Sequence, residues 1–597
     1  MKKKIKNPLI KRIPRELLGD WKKYLVVALF LILTIGFVSG MYVANESMLI
    51  AADEGVTKYK LEDGHFELNK KADEALLAAI GTGTKADVRQ YYLDKAKKEL
   101  DEKFDDEFEK EFTDKFNAEF DDKFKDQFDT EFQKKFDEQF DDMFKQQFDA
   151  NFGGQFDTMF AAQVKQTLLA QGLDETSADA MLEGAVAQAK QDGTYQSAYD
   201  TAYESAYDEA YASAKQENYQ SAYDEAYEEA FQPAYEEAYD TAYKEAYEEA
   251  YPEAYDEAWD KIVDEVNEKY ADAEEKYELN DPDFQAVPVK VYENFFRNEE
   301  EDYNNDGEVD GTIRVYAQND DVDLACLLDG SFPEKSDEIA IDRMHADNVG
   351  VKVGDTISVS GQKFKVVGLI AYVNYATLHE KATDMMFDAI KFDVAMVTQE
   401  AFDRLHKSIH YSYAWNYVNT PANDAEQKTL SDDFMKALLT QVVCDDKEIE
   451  EYLPRYANPA VNFATEDMGS DKAMGGVLLD ILIVIIAFIF AVTISNTIVK
   501  EASTIGTLRA SGYTRGELVR HYISMPVIVT LLAAIIGNIL GYTVFKDVVV
   551  GMYYNSYSLP AYQTVWNPDA FFKTTVIPVA LMLVVNLIVI IKMMHHT

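Results

Sequence analysis

Residues 494–526, ISNTIVKEASTIGTLRASGYTRGELVRHYISMP, decide how this chain is read. One apolar run, Val477 to Val499, enters the stretch, and a second, Ile523 to Phe545, leaves it. A transmembrane helix needs about 20 apolar residues, and each run supplies them. Between them the chain is polar, basic and helix-compatible, with glycine at 506, 512 and 516. Two spans joined in this way hold out a short helix on one side of a membrane, where a cytosolic partner can reach it.

Outward from that turn, two more apolar runs appear, Tyr24 to Ala44 and Thr574 to Ile591. The first is longer than a signal-peptide core and reads as an uncleaved anchor. Lys2, Lys3, Lys4, Lys6, Lys11, Arg12, Arg15, Lys22 and Lys23 precede it, and excess Lys and Arg mark the cytoplasmic side. Both termini are therefore expected in the cytoplasm. The order is a basic segment 1–23, a first span 24–44, an external connector 45–87 and the external region beyond it. A second span 475–499, a cytoplasmic turn 500–521 and a third span 522–545 follow. An external loop 546–572, a fourth span 573–592 and a cytoplasmic tail 593–597 complete it. Lys500, Arg509, Arg515 and Arg520 fall in the turn, as this orientation requires. Lys6 to Lys23 reads equally as a topology-setting flank and as an amphipathic helix on the inner membrane surface. Asp480 is a candidate because an acid inside a span is costly. Gly537 and Gly541 suit close helix packing, and Pro526 and Pro578 mark expected kinks.

The formal charge is −50. Its acid is concentrated in the external region, which speaks against nucleic-acid binding there. Phenylalanine recurs at every fourth position from Phe104 to Phe160. A second series, mostly tyrosine, runs from Tyr195 to Trp259 with Lys215 as its one lapse. A period of four is close to 3.6 and far from 2, so helix is favoured over strand, and aromatics at i and i+4 support one another. The stripe advances by roughly 40° per repeat, and a period above 3.6 favours a right-handed supercoil. The expectation is an antiparallel, coiled-coil-like helical hairpin stalk. It has a Phe arm 88–167, a tip 168–193 and a Tyr/Ala arm 194–275, each arm reaching roughly 100 Å.

From 276 to 470 the composition is that of a globular domain. Short strand-like runs (VPVKVYE, GTIRVYA, DTISVSG, KFKVVGLIA) alternate with helical stretches, an α+β pattern. Asp302, Asn304, Asp306 and Asp310 imitate the first half of an EF-hand loop. Position twelve would be Ile313 where a bidentate Glu belongs, so an acidic turn is the better reading than calcium. His406 and His410 share helical spacing without a third ligand. Cys326 and Cys444 form no CxxC or zinc pattern; a disulfide between them and two free thiols are both open.

Asn496, Ile505, Gly506, Arg509, Ala510 and Gly512 follow the order N…I-G-x-x-[RK]-A-x-G. In this the chain resembles FtsX-like and MacB-like permeases, the transmembrane subunits of ABC transporters. Gly330, Glu338, Ile339, Gly350, Gly354, Asp355 and Gly368 fit the extracytoplasmic core domain of the same family. The resemblance covers the anchor, that domain and the three C-terminal spans. The arms look like an insertion. It implies four spans, an external α+β domain and a coupling segment formed by Glu501, Ile505, Gly506, Leu508, Arg509, Ala510, Ser511 and Gly512. It also implies a cell membrane location, of a Gram-positive type of bacterium, and a homodimer or a second permease subunit.

No G-x-x-x-x-G-K-[ST] is present, and no nucleophile elbow, H-E-x-x-H or triad is visible. The chain is therefore expected not to be an enzyme and to hold no cofactor. The resemblance implies that ATP and magnesium are held by a separate cytosolic ABC ATPase. The function expected is mechanotransmission, for export of a substrate or for activating a cell-wall or other external partner at the arms. The alternative is a surface stalk or scaffold that transports nothing.

Overall fold

The computed structural model describes residues 8–19 and 21–596; Lys2, Lys3, Lys4 and Lys6 lie outside them. The chain forms two units, 1–88 with 273–597, and 89–272. In the first, α1 (Pro8–Gly19) is the helix that the mixed apolar and basic composition allowed. α2 (Trp21–Lys58) carries the first apolar run and continues well past it. The segment 45–87 is more than a connector. After α2 it supplies β1 (Gly64–Leu68) and α3 (Glu74–Gly81), with Asp73 capping the helix by accepting from the Leu76 amide. Phe66, Leu68, Leu76 and Ile80 are buried in the domain core.

The second unit holds α4 (Val88–Ala170), α5 (Glu175–Asp192) and α6 (Thr194–Tyr277). The expected tip 168–193 is mostly α5, started by Asp174 and ended by Gly193 at φ 86°. α4 and α6 are antiparallel and meet along the aromatic stripes. Phe128 meets Tyr223 at 5.4 Å and Tyr227 at 5.1 Å, edge to face, and stacks on Phe132 of its own helix at 5.6 Å. Ring quadrupoles favour both arrangements. The tyrosine hydroxyls donate across the pair: Tyr195 to Asp157 (2.6 Å), Tyr235 to Asn117 (2.6 Å), Tyr251 to Asp105 (2.5 Å), and likewise Tyr203 to Asp149 and Tyr223 to Asp129. Lys215, the lapse, keeps the pattern with an ammonium 2.8 Å from Asp137. From Tyr239–Thr113 to Tyr251–Asp105 the ladder advances twelve residues on α6 against eight on α4. One repeat is left over, and Tyr247 is 44% exposed there.

The globular part of the first unit has two sheets. Its further strands are β2 (Val289–Glu293), β3 (Phe296–Asp302), β4 (Gly311–Ala317), β5 (Ala325–Gly330), β6 (Glu338–Asp342), β7 (Thr356–Val359) and β8 (Gln362–Tyr372). β9 (Phe392–Val397), β10 (Tyr411–Tyr417) and β11 (Ile449–Pro454) complete the set. Three helices, α7 (Arg343–Val349), α8 (Gln399–Arg404) and α9 (Asp424–Val443), lie among them. The antiparallel sheet has the order β11-β1-β10-β2. The larger sheet runs β5-β8-β6-β9-β4-β3-β7, and β7 also pairs with β8. Six strands thus close on themselves, which removes exposed edges, and β5 hangs on β8. The barrel is filled by Ile313, Val315, Ile339, Ile341, Val359, Phe364 and Val366. Trp415, fully buried between β10 and α9, needs Gly64 beside it: a Cβ there would sit 2.3 Å from the indole.

α10 (Pro459–Lys500) begins inside the expected core domain 276–470, with Asn458 as its cap, and runs without a break through the expected span 475–499. α11 (Ala502–Ala510) and α12 (Arg515–Leu540) follow. A π turn at Gly541–Phe545 joins α12 to α13 (Lys546–Ser556), so the start of the expected loop 546–572 is helical. α14 (Pro568–Phe571) passes through a second π turn, Phe572–Val576, into α15 (Ile577–His596). Pro578 cannot donate to its preceding turn, and the ladder widens just before it; Pro526 lies within α12 with no interruption. Among the described residues, four helices are long and apolar enough to cross a membrane. Gly537 and Gly541 lie against α2, where Gly36 and Gly40 answer them. An added Cβ would meet Ile35 at 2.9 Å, Ser39 at 2.7 Å and Phe545 at 2.8 Å and 2.7 Å respectively. Asn538 ties three helices together, accepting from Ser39 (2.9 Å) and Thr574 (3.0 Å) and donating to Thr575 (2.9 Å).

Candidate functional site

The turn between α10 and α12 is built by local rules. α11 ends in a Schellman motif: the Tyr513 amide donates to Leu508 (3.2 Å), the Gly512 amide to Arg509 (3.0 Å), and Gly512 takes φ 99°. Two residues later Thr514 and Glu517 form a capping box that starts α12. Glycine at 512 is the residue such a reversal requires.

α11 has two faces. Ile505 is fully buried among Ile494, Ile498, Leu518, Tyr522 and Ile590, with Leu508 partly buried beside them. Ser503, Thr504, Gly506, Thr507, Ala510 and Ser511 are exposed. Nothing lies within 4 Å of where a Gly506 Cβ would be. A glycine inside a helix costs roughly 1 kcal/mol relative to alanine, and no packing within this chain repays it. Arg509, half-buried, has no ion-pair partner among the described residues.

Glu501 is engaged within the chain. It caps α10 and accepts from the Tyr522 hydroxyl (2.5 Å) and from Arg12 of α1 (3.1 Å). Glu16 of α1 lies 3.1 Å from His521. α1 is thus strapped across the turn. The eight expected residues therefore divide into an inner set, Glu501, Ile505 and Leu508, and an outer set, Gly506, Arg509, Ala510, Ser511 and Gly512.

At their other ends the same helices enter the domain directly. α2 leads into β1, β11 leads into α10, and β1 and β11 are paired strands. Asp63 fixes the entry, accepting from the Arg455 amide (2.8 Å) through its carbonyl and pairing with the Arg455 guanidinium (3.1 Å) through its carboxylate. A second attachment comes from α13. Arg343 of α7 donates to the carbonyls of Tyr554 (2.6 Å) and Tyr557 (2.7 Å), and Ser558 donates to the buried Asp342 carboxylate (2.5 Å). Burial holds that carboxyl above the ordinary aspartate range. Sequence reading missed Asp342 and Arg343, because nothing in their spacing announces a partner more than 200 residues away.

The weaker candidates do not assemble. Asp302 accepts from the Asp306 (3.2 Å) and Gly307 (3.0 Å) amides and Asp310 from the Tyr303 amide (3.1 Å), so the loop closes on itself. With Asn304 and Asp306 these residues form no convergent ligand set, and Ile313 is in the barrel core. His410 faces Glu67 (2.5 Å) while His406 is exposed. Cys326 and Cys444 are free thiols. Asp480 lies on the exposed face of α10.

Residues 476–597 match the FtsX-like permease C-terminal family. The match takes in the turn and the apolar helices around it, so this end of the chain is similar to the C-terminal module of FtsX-like permeases. No curated protein matches the chain. Among solved structures, the extracellular domain of the noncanonic ABC-type transporter YknZ from Gram-positive bacteria is 13% identical, over 30% of this chain and 88% of that one, with a TM-score of 0.17. The periplasmic region of MacB from Actinobacillus actinomycetemcomitans is 12% identical, over 29% of this chain and 73% of that one, with a TM-score of 0.18.

Proposed function

We propose that this chain is the membrane subunit of an ABC complex, and that a separate cytosolic ATPase, holding the ATP and magnesium, drives it through the outer face of α11. The observation that carries the proposal is that face itself. It exposes Gly506 with open space around it and presents Arg509 without an ion-pair partner among the described residues, while Ile505 anchors the helix to the spans. A partner helix can approach the glycine backbone closely, and the guanidinium suits an acidic rim. Displacing α11 moves α10, and Glu501 passes the motion to α1 through Arg12.

In this reading both termini are cytoplasmic and the globular domain and arms are external. Movement of α10 against α2 becomes shear between β11 and β1, the strands that continue those helices. Four spans form half of a translocation unit, so a second copy or a second permease subunit completes it. The arms, with helices of 83 and 84 residues, exceed what extrusion of a substrate alone requires. They favour delivery of the motion to a cell-envelope partner, with a passive surface scaffold as the alternative.

The test is affinity capture of the tagged full chain from mild detergent beside a Gly506→Asp, Arg509→Glu variant. Capture of an ABC ATPase by the wild type and its loss from a stably folded variant support the proposal. A folded wild type that brings down no ATPase, or a variant that keeps it, overturns it.

A further inference from the structure

A buried cluster in the barrel takes no part in that coupling. Glu301 near the end of β3, His345 in α7 and Asp393 in β9 are each 0% exposed or nearly so, and their ligand atoms lie within 4.8 Å of one another. His345 and Asp393 are each tied down on one side and bare on the other, while the Glu301 carboxylate is bare at both oxygens among the described residues. His345 Nδ1 lies 2.8 Å from the Ala389 carbonyl oxygen, which can only accept, so Nδ1 carries a proton. Asp393 Oδ1 accepts from the amides of Asp342 (3.1 Å) and Val394 (2.7 Å). What remains is His345 Nε2, Asp393 Oδ2 and both carboxylate oxygens of Glu301, and none of these has a hydrogen-bond partner among the described residues. Nε2 stands 3.3 Å from Glu301 Oε2.

This arrangement needs positive charge at its centre. With Nδ1 protonated, a neutral imidazole turns a lone pair toward two carboxylates, in an interior where an unpaired charge is strongly disfavoured. A proton on Nε2 offsets one of the two negative charges; a divalent cation offsets both. We propose that Glu301, His345 and Asp393 bind a divalent transition-metal ion. One imidazole nitrogen and two carboxylates suit zinc or manganese. Zinc bonds to such atoms are about 2.0–2.2 Å long, which sets tetrahedral ligand atoms roughly 3.5 Å apart; the histidine–glutamate pair at 3.3 Å already fits, and separations of up to 4.8 Å close by about 1 Å. The outer contacts are those that metal ligands use, with a carbonyl holding the far N–H of the histidine and amides holding the carboxylate.

The ion has a structural consequence. The Asp342 amide that holds Asp393 belongs to the residue whose carboxylate receives Ser558. Metal would therefore pin β3, α7 and β9 together one residue away from the attachment of α13.

The experiment uses the full chain, purified in mild detergent without chelator from cells grown with trace zinc, manganese, cobalt and nickel. Bound metal is measured by plasma mass spectrometry. Asp393→Asn and Glu301→Gln are compared with the wild type. The Asn carbonyl still accepts from the Asp342 and Val394 amides, so the fold is expected to survive. The expected result is about one equivalent of a divalent transition metal per wild-type chain, falling at least about tenfold in both variants. A folded wild type with less than about a tenth of an equivalent overturns the proposal, and a proton then holds the site. Equal metal in all three proteins also overturns it. Should both variants aggregate, the wild-type stoichiometry alone decides.

Discussion

Replacing Arg343 with alanine should release α13 from the globular domain without unfolding either. The guanidinium makes two bonds to carbonyls at the end of α13, 2.6 Å to Tyr554 and 2.7 Å to Tyr557. Hydrogen bonds from a charged donor contribute about 1.5–3 kcal/mol each. The Arg343 side chain is 12% exposed, so water partly replaces what is lost and the lower figure applies. Two bonds then give about 3 kcal/mol, or roughly a 100-fold rise in local opening. Hydrogen exchange reads this directly. The Tyr557 amide donates to Tyr553 (2.8 Å) and the Ser558 amide to Ala376 (2.9 Å), and both should exchange faster in the variant. Arg343→Lys keeps the charge but not the two-pronged geometry, and should fall between. Asp347→Asn removes only an exposed ion pair, at 57% exposure, and should change exchange by less than about threefold. A folded Arg343→Ala protein whose Tyr557 and Ser558 amides exchange at the wild-type rate would refute this account of the junction.

Further expectations separate packing from presentation. Ile505→Asp buries a charge among Ile498, Leu518 and Ile590 and should cost about 3 kcal/mol or more, seen as a lowered melting temperature in detergent, whereas Gly506→Asp should leave melting unchanged. Gly541→Leu forces side-chain atoms into Ser39 and the Gly36 carbonyl and should destabilise by about 1–3 kcal/mol; an unaltered melt would mean that α2 and α12 do not pack this closely. Tyr195, Tyr203, Tyr223 and Tyr255 are pushed up to about 12, by hydrogen bonds to aspartates first and by burial second. Their folded pKa lies above the unfolded value of 10.0. Their contribution to the arms is therefore complete below that pH and is lost as pH rises through about 12. Tyrosinate absorbance should titrate late, with helical circular dichroism falling in the same window.

The arms were legible because a four-residue period is a local signal that repeats. So were the apolar runs and the turn, whose Gly512 and Thr514 obey end rules written within a few residues of each other. The role of residues 59–87 was not, since β1 earns its place only by pairing with β10 and β11, more than 300 residues on. Gly36 and Gly40 were hidden inside an ordinary apolar run; only the approach of Phe545 gives them meaning. Glu301 sits in an acidic stretch, FRNEEED, that reads as solvated surface, and strand alternation turns it inward. Within the turn, a short helix was legible, but not that Glu501 meets Tyr522 and Arg12.

The leftover repeat at Tyr247 bears on how such arms change length. The rings repeat at every rung, so a shift of one whole rung keeps the aromatic seam while the hydroxyl partners change: Tyr203 would exchange Asp149 for Lys145 or Gly153. Insertions or deletions of four residues should therefore be absorbed by sliding, as the surplus tyrosine already is, while those of any other size rotate the stripe out of the seam. The gene can lengthen or shorten this part of the protein in fixed steps, and one helix can run a step ahead of the other before its partner catches up.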